Sequence, residues 1–137
     1  MATFISNSPA ETEAFGDEFA KQVHAGSVLA LKGDLGAGKT QFVKGLVAGL
    51  GSNAEVTSPT FTLIHEYLGG FLPVYHFDFF RIEGRQVAAR LGLDDYFFGD
   101  GVSVVEWADK FAELIPKQAD WISFEMKSKT QRVIASK

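Results

Sequence analysis

The chain has 137 residues, of which 46% are hydrophobic and 22% charged, with a formal net charge of −4 and no cysteine. That is enough for one domain with a buried core and too little for a second, and the acidic balance argues against the broad basic surface by which direct nucleic-acid binders displace counterions. Without cysteine, disulfide frameworks and thiolate metal sites are excluded, which fits a reducing compartment.

The opening stretch MATFISNSPAETEAF has no basic region followed by an apolar core, and no run approaches the length that spans a bilayer, so a soluble, cytoplasmic protein with no membrane partner is expected. After a short apolar piece at Phe4 and Ile5, the residues Ser8, Pro9, Ala10 and Glu11 read as a helix start. Ser8 sits at the N-cap, proline takes the first helical position, and Glu11 closes a capping box. This helix should run to about His24, with Phe15, Phe19, Ala20 and Val23 forming a face that packs on a sheet. SVLALKG, Ser27 to Gly33, is short, apolar and ends in glycine, as a buried parallel strand does. Lys39 to Leu50 reads as a helix stopped by Gly51.

From Thr60 to Arg81, two β-rich runs, FTLIHEY and LPVYHFDFFR, flank a glycine pair and predict an antiparallel hairpin. A short helix is expected from Glu83 to Leu91, then an irregular connection over LGLDDYFFGDG. VSVVEW, Val102 to Trp107, is a second short apolar strand, followed by a helical segment from Ala108 to about Leu114 that Pro116 ends. In the tail, Ile122, Phe124 and Met126 alternate with Ser123, Glu125 and Lys127, and with TQRVIA they predict a closing hairpin. Strands and helices alternating around a glycine-rich turn make the fold class α/β, one domain over residues 1–137.

That turn, GDLGAGKT, carries the strongest functional signal. Gly33, Gly38, Lys39 and Thr40 fit the phosphate-loop pattern GxxxxGK followed by Ser or Thr, between a strand and a helix. The glycines allow a tight turn that points successive N–H groups inward, and the helix N-terminus adds partial positive charge. The cofactor-binding residues expected here are Asp34, Leu35, Gly36, Ala37, Gly38, Lys39, Thr40 and Gln41. Lys39 would reach the β- and γ-phosphates, and the Thr40 hydroxyl would ligate Mg2+. Asp34 falls where the phosphate-loop pattern leaves the residue free, so its role stays open.

Such a loop also needs an acid for Mg2+ and a group that orients the attacking water. Asp78 ends LPVYHFD and Glu106 ends VSVVE, both at the carboxyl ends of strands, where sites in parallel sheets lie. Glu106, on the more buried-looking strand, is expected at the metal, and Asp78 at the water. Neither an NKxD-type guanine motif nor a DxxG switch is present, which favours ATP over GTP. Only four arginines are available for the arginine-rich lid of a small-molecule kinase: Arg81, Arg85, Arg90 and Arg132. The three histidines make no metal site. His24 lies near a helix end, His65 and His76 lie on opposite arms of the hairpin, and His76, on the same side of its strand as Asp78, is a candidate orienter of that acid.

GDLGAGKT, VTSPTFTLIHEY, YHFDFFR and VVEW, in this order and spacing, resemble the TsaE family, formerly YjeE, over roughly residues 8–115. The resemblance implies a P-loop NTPase-like three-layer fold, with a mixed sheet of parallel core and antiparallel hairpin strands and helices on both faces. It implies a small Mg-dependent ATPase, slow alone, serving TsaD and TsaB, with TsaD transferring threonylcarbamoyl to adenosine 37 of tRNA. It places Ser58, Pro59 and Thr60 in a switch-like segment near the γ-phosphate and Trp107 beside the nucleotide, and it matches Asp78 and Glu106 to the family's two functional acids. Phe80 departs from it, standing where the family often has tyrosine before the arginine at Arg81. Beyond about Lys117 nothing specific is recognised. The cluster of Lys127, Lys129, Arg132 and Lys137 reads as a solvated edge hairpin protected by lysines. Two other functions fit the same residues: a nucleotide-gated assembly module that needs no turnover, and a small-metabolite kinase.

Overall fold

The computed structural model describes residues 2–34, 37–57 and 64–136. Among these, seven strands form one mixed sheet: β1 (Ala2–Ser6), β2 (Val28–Gly33), β3 (Ile64–Tyr67), β4 (Val74–Asp78), β5 (Val102–Glu106), β6 (Asp120–Met126) and β7 (Arg132–Ser136), in the order β1-β7-β6-β2-β5-β4-β3. The four central strands, β6, β2, β5 and β4, are parallel, and antiparallel partners close both sides, β7 then β1 beyond β6, and β3 beyond β4. The expected α/β architecture, with parallel core and antiparallel hairpins, is present.

Alternation along β2 explains the layers. Leu29 and Leu31 face a core shared with Phe42, Leu46, Ile122 and Phe124. Val28 and Ala30 face the opposite core, with Phe77, Phe79, Phe97 and Phe111. Two helices, α1 (Pro9–Phe19) and α2 (Lys39–Gly49), cover the first face, while α3 (Arg85–Ala89) and α4 (Leu93–Phe97) belong to the second half of the chain, on the other side.

The capping box at α1 forms shifted by one residue: Glu11 N–H donates to Ser8 Oγ at 3.1 Å as expected, while Glu11 Oε1 accepts at 2.9 Å from the N–H of Asn7, the residue before the cap. The helix stops at Phe19 rather than near His24, because Lys21 and Gln22 bond only three residues back, to Glu18 and Phe19, in successive turns. Its apolar face meets α2 and β1 rather than a broad sheet surface. Phe15 stacks on Phe4 at 4.8 Å and approaches Phe42 at 5.8 Å. The two helices touch so closely that a Cβ added at Gly45 would lie 1.9 Å from the Glu13 carbonyl oxygen.

Three further expectations are corrected. The connection after Leu91 contains α4, which follows a left-handed Gly92 and buries Leu93 and Phe97, one helical turn apart. Its glycine-rich flanks hid that spacing. Ala108–Leu114 is 3₁₀ with a break at Phe111 (φ −133°, ψ 59°), whose ring packs on Phe79 at 5.9 Å. The tail hairpin is not an edge: β6 pairs in parallel with β2, from Leu29↔Asp120 to Gly33↔Phe124, and β1 caps β7 on the outside. No helix among the described residues is long and apolar enough to cross a membrane.

Candidate functional site

The site stands at the carboxyl ends of the parallel strands. Strand register alone aligns its parts, since Asp78 is opposite Glu106 on β4 and β5, and Glu106 is opposite Leu31 on β2, two residues before the glycine-rich loop. That loop leaves β2 at Gly33 and enters α2 through Gly38, whose φ of 99° lies in the left-handed region that glycine occupies without strain. Between them Ala37 N–H donates to the Asp34 carbonyl at 3.1 Å, closing the turn. Asp34 therefore serves the loop through its backbone, while its exposed carboxylate adds to the negative field at Lys39. Leu35, Gly36 and Thr60 of the expected binding set, with Ser58 and Pro59, lie outside the described residues.

Lys39 is 5% exposed. Its ammonium donates to the Gly33 carbonyl and stands 4.0 Å from the centroid of the Trp107 ring. Burial pulls its pKa down, and the nearby carboxylates Glu106, Asp109, Asp78 and Asp34 oppose that. Trp107 is the only non-glycine residue with positive φ (57°) among the described residues, and Phe80 packs on its ring at 4.9 Å. The side chain of Phe80 is thus part of the aromatic wall beside Lys39, although the ring itself is half exposed.

The two acids are held differently. Asp78 Oδ1 accepts from Phe80 N–H at 3.0 Å, capping the 3₁₀ turn Phe79–Arg81. Burial pushes the Asp78 carboxyl above its ordinary range and the Glu106 charge adds to this, while the Phe80 N–H, His76 and Arg81 act the other way. Glu106 is bound by His76, not left beside it: Nε2 of the imidazole and Oε2 of Glu106 are 2.5 Å apart. This corrects the expectation that His76 orients Asp78. The imidazole lies diagonally across the parallel strands from Glu106, where its edge meets the carboxylate.

Glu106 also lines a cavity of about 310 Å³ together with Gly38, Lys39, Thr40 and Gln41. The Thr40 hydroxyl and the Glu106 carboxylate are both hard oxygen donors bordering the same space. Among the described residues no group of three or more His, Cys, Asp or Glu side chains could hold a metal by itself. Two oxygen donors of this kind fit a Mg2+ ion whose remaining positions phosphate oxygens and water would fill.

The far wall was not expected from sequence. Ser8, Pro9 and Thr12, around the start of α1, Lys129 and Thr130, in the turn between β6 and β7, and Arg132, the first residue of β7, line the same cavity. Arg132 Nη1 donates to the Ser128 and Gln131 carbonyls at 2.8 and 3.2 Å, which fixes its guanidinium at the rim. The basic cluster of the tail is the one sequence signal for them, and by itself it fits a solvated hairpin as well. Only the pairing of β6 with β2 brings those residues beside the loop.

Comparison with known proteins points one way. The family described as Threonylcarbamoyl adenosine biosynthesis protein TsaE matches residues 6–134. The tRNA threonylcarbamoyladenosine biosynthesis protein TsaE of Bacillus subtilis is 50% identical over 111 residues, covering 81% of this chain and 69% of that protein. Its counterpart in Treponema pallidum is 38% identical over 130 residues, covering 95% of this chain and 96% of the relative. In fold, the chain is similar to the crystal structure of Bacillus subtilis YdiB, with a TM-score of 0.81 and 41% identity, covering 97% of this chain and 82% of that one.

Proposed function

The chain belongs to the TsaE family of tRNA threonylcarbamoyladenosine biosynthesis, and we propose that it serves that machinery as a Mg-dependent ATPase whose cycle drives or resets a TsaD–TsaB transferase. The observation that carries this reading is the meeting of Lys39, Thr40 and Glu106 at one cavity between a glycine-rich loop and a strand-end acid.

In this reading the N–H groups at the start of α2 and the Lys39 ammonium receive the phosphates of ATP. Lys39 is already desolvated and aimed by the Gly33 carbonyl and the Trp107 face, so little ordering remains when a phosphate replaces those partners. Thr40 and Glu106 would hold Mg2+, which supplies charge neutralisation at the phosphates when bound. Asp78 is the candidate to orient the attacking water. A carboxyl raised by burial accepts a proton more readily than an exposed aspartate. Ser8, Thr12, Thr130 and Arg132, which line the same cavity, are the candidates to meet the nucleoside end. The absence of guanine-recognition motifs favours adenine there.

The isolated chain should release phosphate from ATP only when Mg2+ is present, and Glu106→Ala should remove that release. A Glu106→Ala protein that hydrolyses ATP at the parent rate contradicts the assignment. Transfer of the γ-phosphate to a metabolite instead of to water would favour the kinase reading.

A further inference from the structure

His76 is fully buried, yet it is polar at both ring nitrogens and both are engaged. Nε2 meets Glu106 Oε2, and Nδ1 lies 3.1 Å from the Tyr67 hydroxyl. Tyr67 in turn reaches the Thr57 carbonyl at 3.0 Å and lies 3.4 Å from His65 Nδ1. A continuous polar line therefore crosses the sheet from β5 through β4 to β3, ending on a backbone carbonyl.

The direction of the first bond follows from the chemistry of its ends. An ionised carboxylate only accepts, so Nε2 must carry the hydrogen. The Tyr67 hydroxyl has one hydrogen and three neighbours in reach, the Thr57 carbonyl, His76 Nδ1 and His65 Nδ1. With the ring hydrogen on Nε2, Nδ1 can only accept, so the Tyr67 hydroxyl donates to it in the arrangement that pins the far side of the ring and points Nε2 at Glu106. Oε2 accepts this bond, while Oε1 has no such partner among the described residues and is the freer Glu106 oxygen for a ligand in the cavity.

We propose that His76, braced by Tyr67, is the positioning residue that holds Glu106 for the metal in the ATP site. The proposal rests on the function given above, and its test separates the two. The affinity of the chain for a non-hydrolysable ATP analogue is measured by calorimetry, without metal and across a Mg2+ titration, for the parent, His76→Ala, His76→Gln and Tyr67→Phe. Thermal melting of each protein is recorded alongside.

His76→Ala should raise the Mg2+ concentration at half effect by about tenfold or more while leaving metal-free analogue binding within about twofold, as expected when an outer partner of a metal ligand is removed. The amide of His76→Gln can still donate to Glu106 and should recover most of the loss. Tyr67→Phe, which removes only the brace, should cost about threefold, the effect of one neutral hydrogen bond. If burial makes His76→Ala unstable, His76→Gln and Tyr67→Phe decide the matter. The inference is overturned if folded variants keep the parent Mg2+ dependence, or if metal-free and Mg2+-dependent binding fall equally, the mark of a merely structural histidine. A parent that binds no nucleotide analogue overturns instead the ATP reading on which the inference stands.

Discussion

The seam between α1 and α2 and the carboxyl ends of β2, β4 and β5 are built to opposite rules. At the seam the contacts are mostly apolar and backbone meets backbone: Gly45 sits against the Glu13 carbonyl, and Phe15, Phe19 and Phe42 form a cluster with centroids 5.7 to 6.0 Å apart. At the strand ends Lys39, Asp78, His76 and Glu106 are all no more than 6% exposed. Burying apolar surface stabilises the fold, and burying ionisable groups opposes it. The chain thus concentrates its stability at the helix pair and spends some of it at the site, as is expected where a charged ligand must be met by groups already stripped of water.

The contrast can be broken at either end. The largest loss should come from Gly45→Ala, because a methyl cannot share 1.9 Å with the Glu13 oxygen and the helices must part. Chemical denaturation should register at least about 3 kcal/mol, a large share of the stability of a small domain.

Lys39→Met should do the reverse of what its burial suggests. Nucleotide affinity should fall by about a hundredfold with the loss of a charged donor, while the melting temperature holds or rises, because burial disfavours the ammonium that the substitution removes. A melting temperature that drops as sharply as for Gly45→Ala would erase the distinction between the two regions.

The smallest effect belongs to Asp78→Asn and is legible in its pH dependence. The folded carboxyl is raised above its unfolded value, so as pH climbs through the window between them the folded state keeps a proton that the unfolded state has lost. Stability therefore falls with rising pH across that window and stays lower above it. The Asn variant keeps an acceptor for Phe80 N–H without the carboxylate. It should melt like the parent near the acid end and somewhat higher at neutral pH, with the gap opening as pH rises; a gap of the opposite sign would show that the charged form is favoured by the fold.

How much of this could be read in the sequence depended on how local its causes were. The capping box at Ser8, the glycine stop after α2, the strands on either side of the glycine-rich loop and the two strand-end acids follow from neighbours a few residues apart. α4 escaped because its two buried positions, Leu93 and Phe97, sit between glycines that signal a loop. The partners of His76 and the place of Arg132 beside the cavity depend on which strands pair: Glu106 is thirty positions from His76, and the β6–β7 turn reaches the site only because β6 lies next to β2. No periodicity carries that information. Hence the glycine-rich loop between β2 and α2 is legible in the sequence, and the residues of α1 and of the β6–β7 region that line its cavity are not.

The most direct test of the proposed switch is the ATP hydrolysis rate of the chain measured with and without TsaD and TsaB, paired with the extent of tRNA modification when Lys39→Ala replaces the parent. Hydrolysis should rise when the partners are added, and modification should fail with the variant. An unaltered rate together with full modification by the Lys39→Ala protein would contradict it.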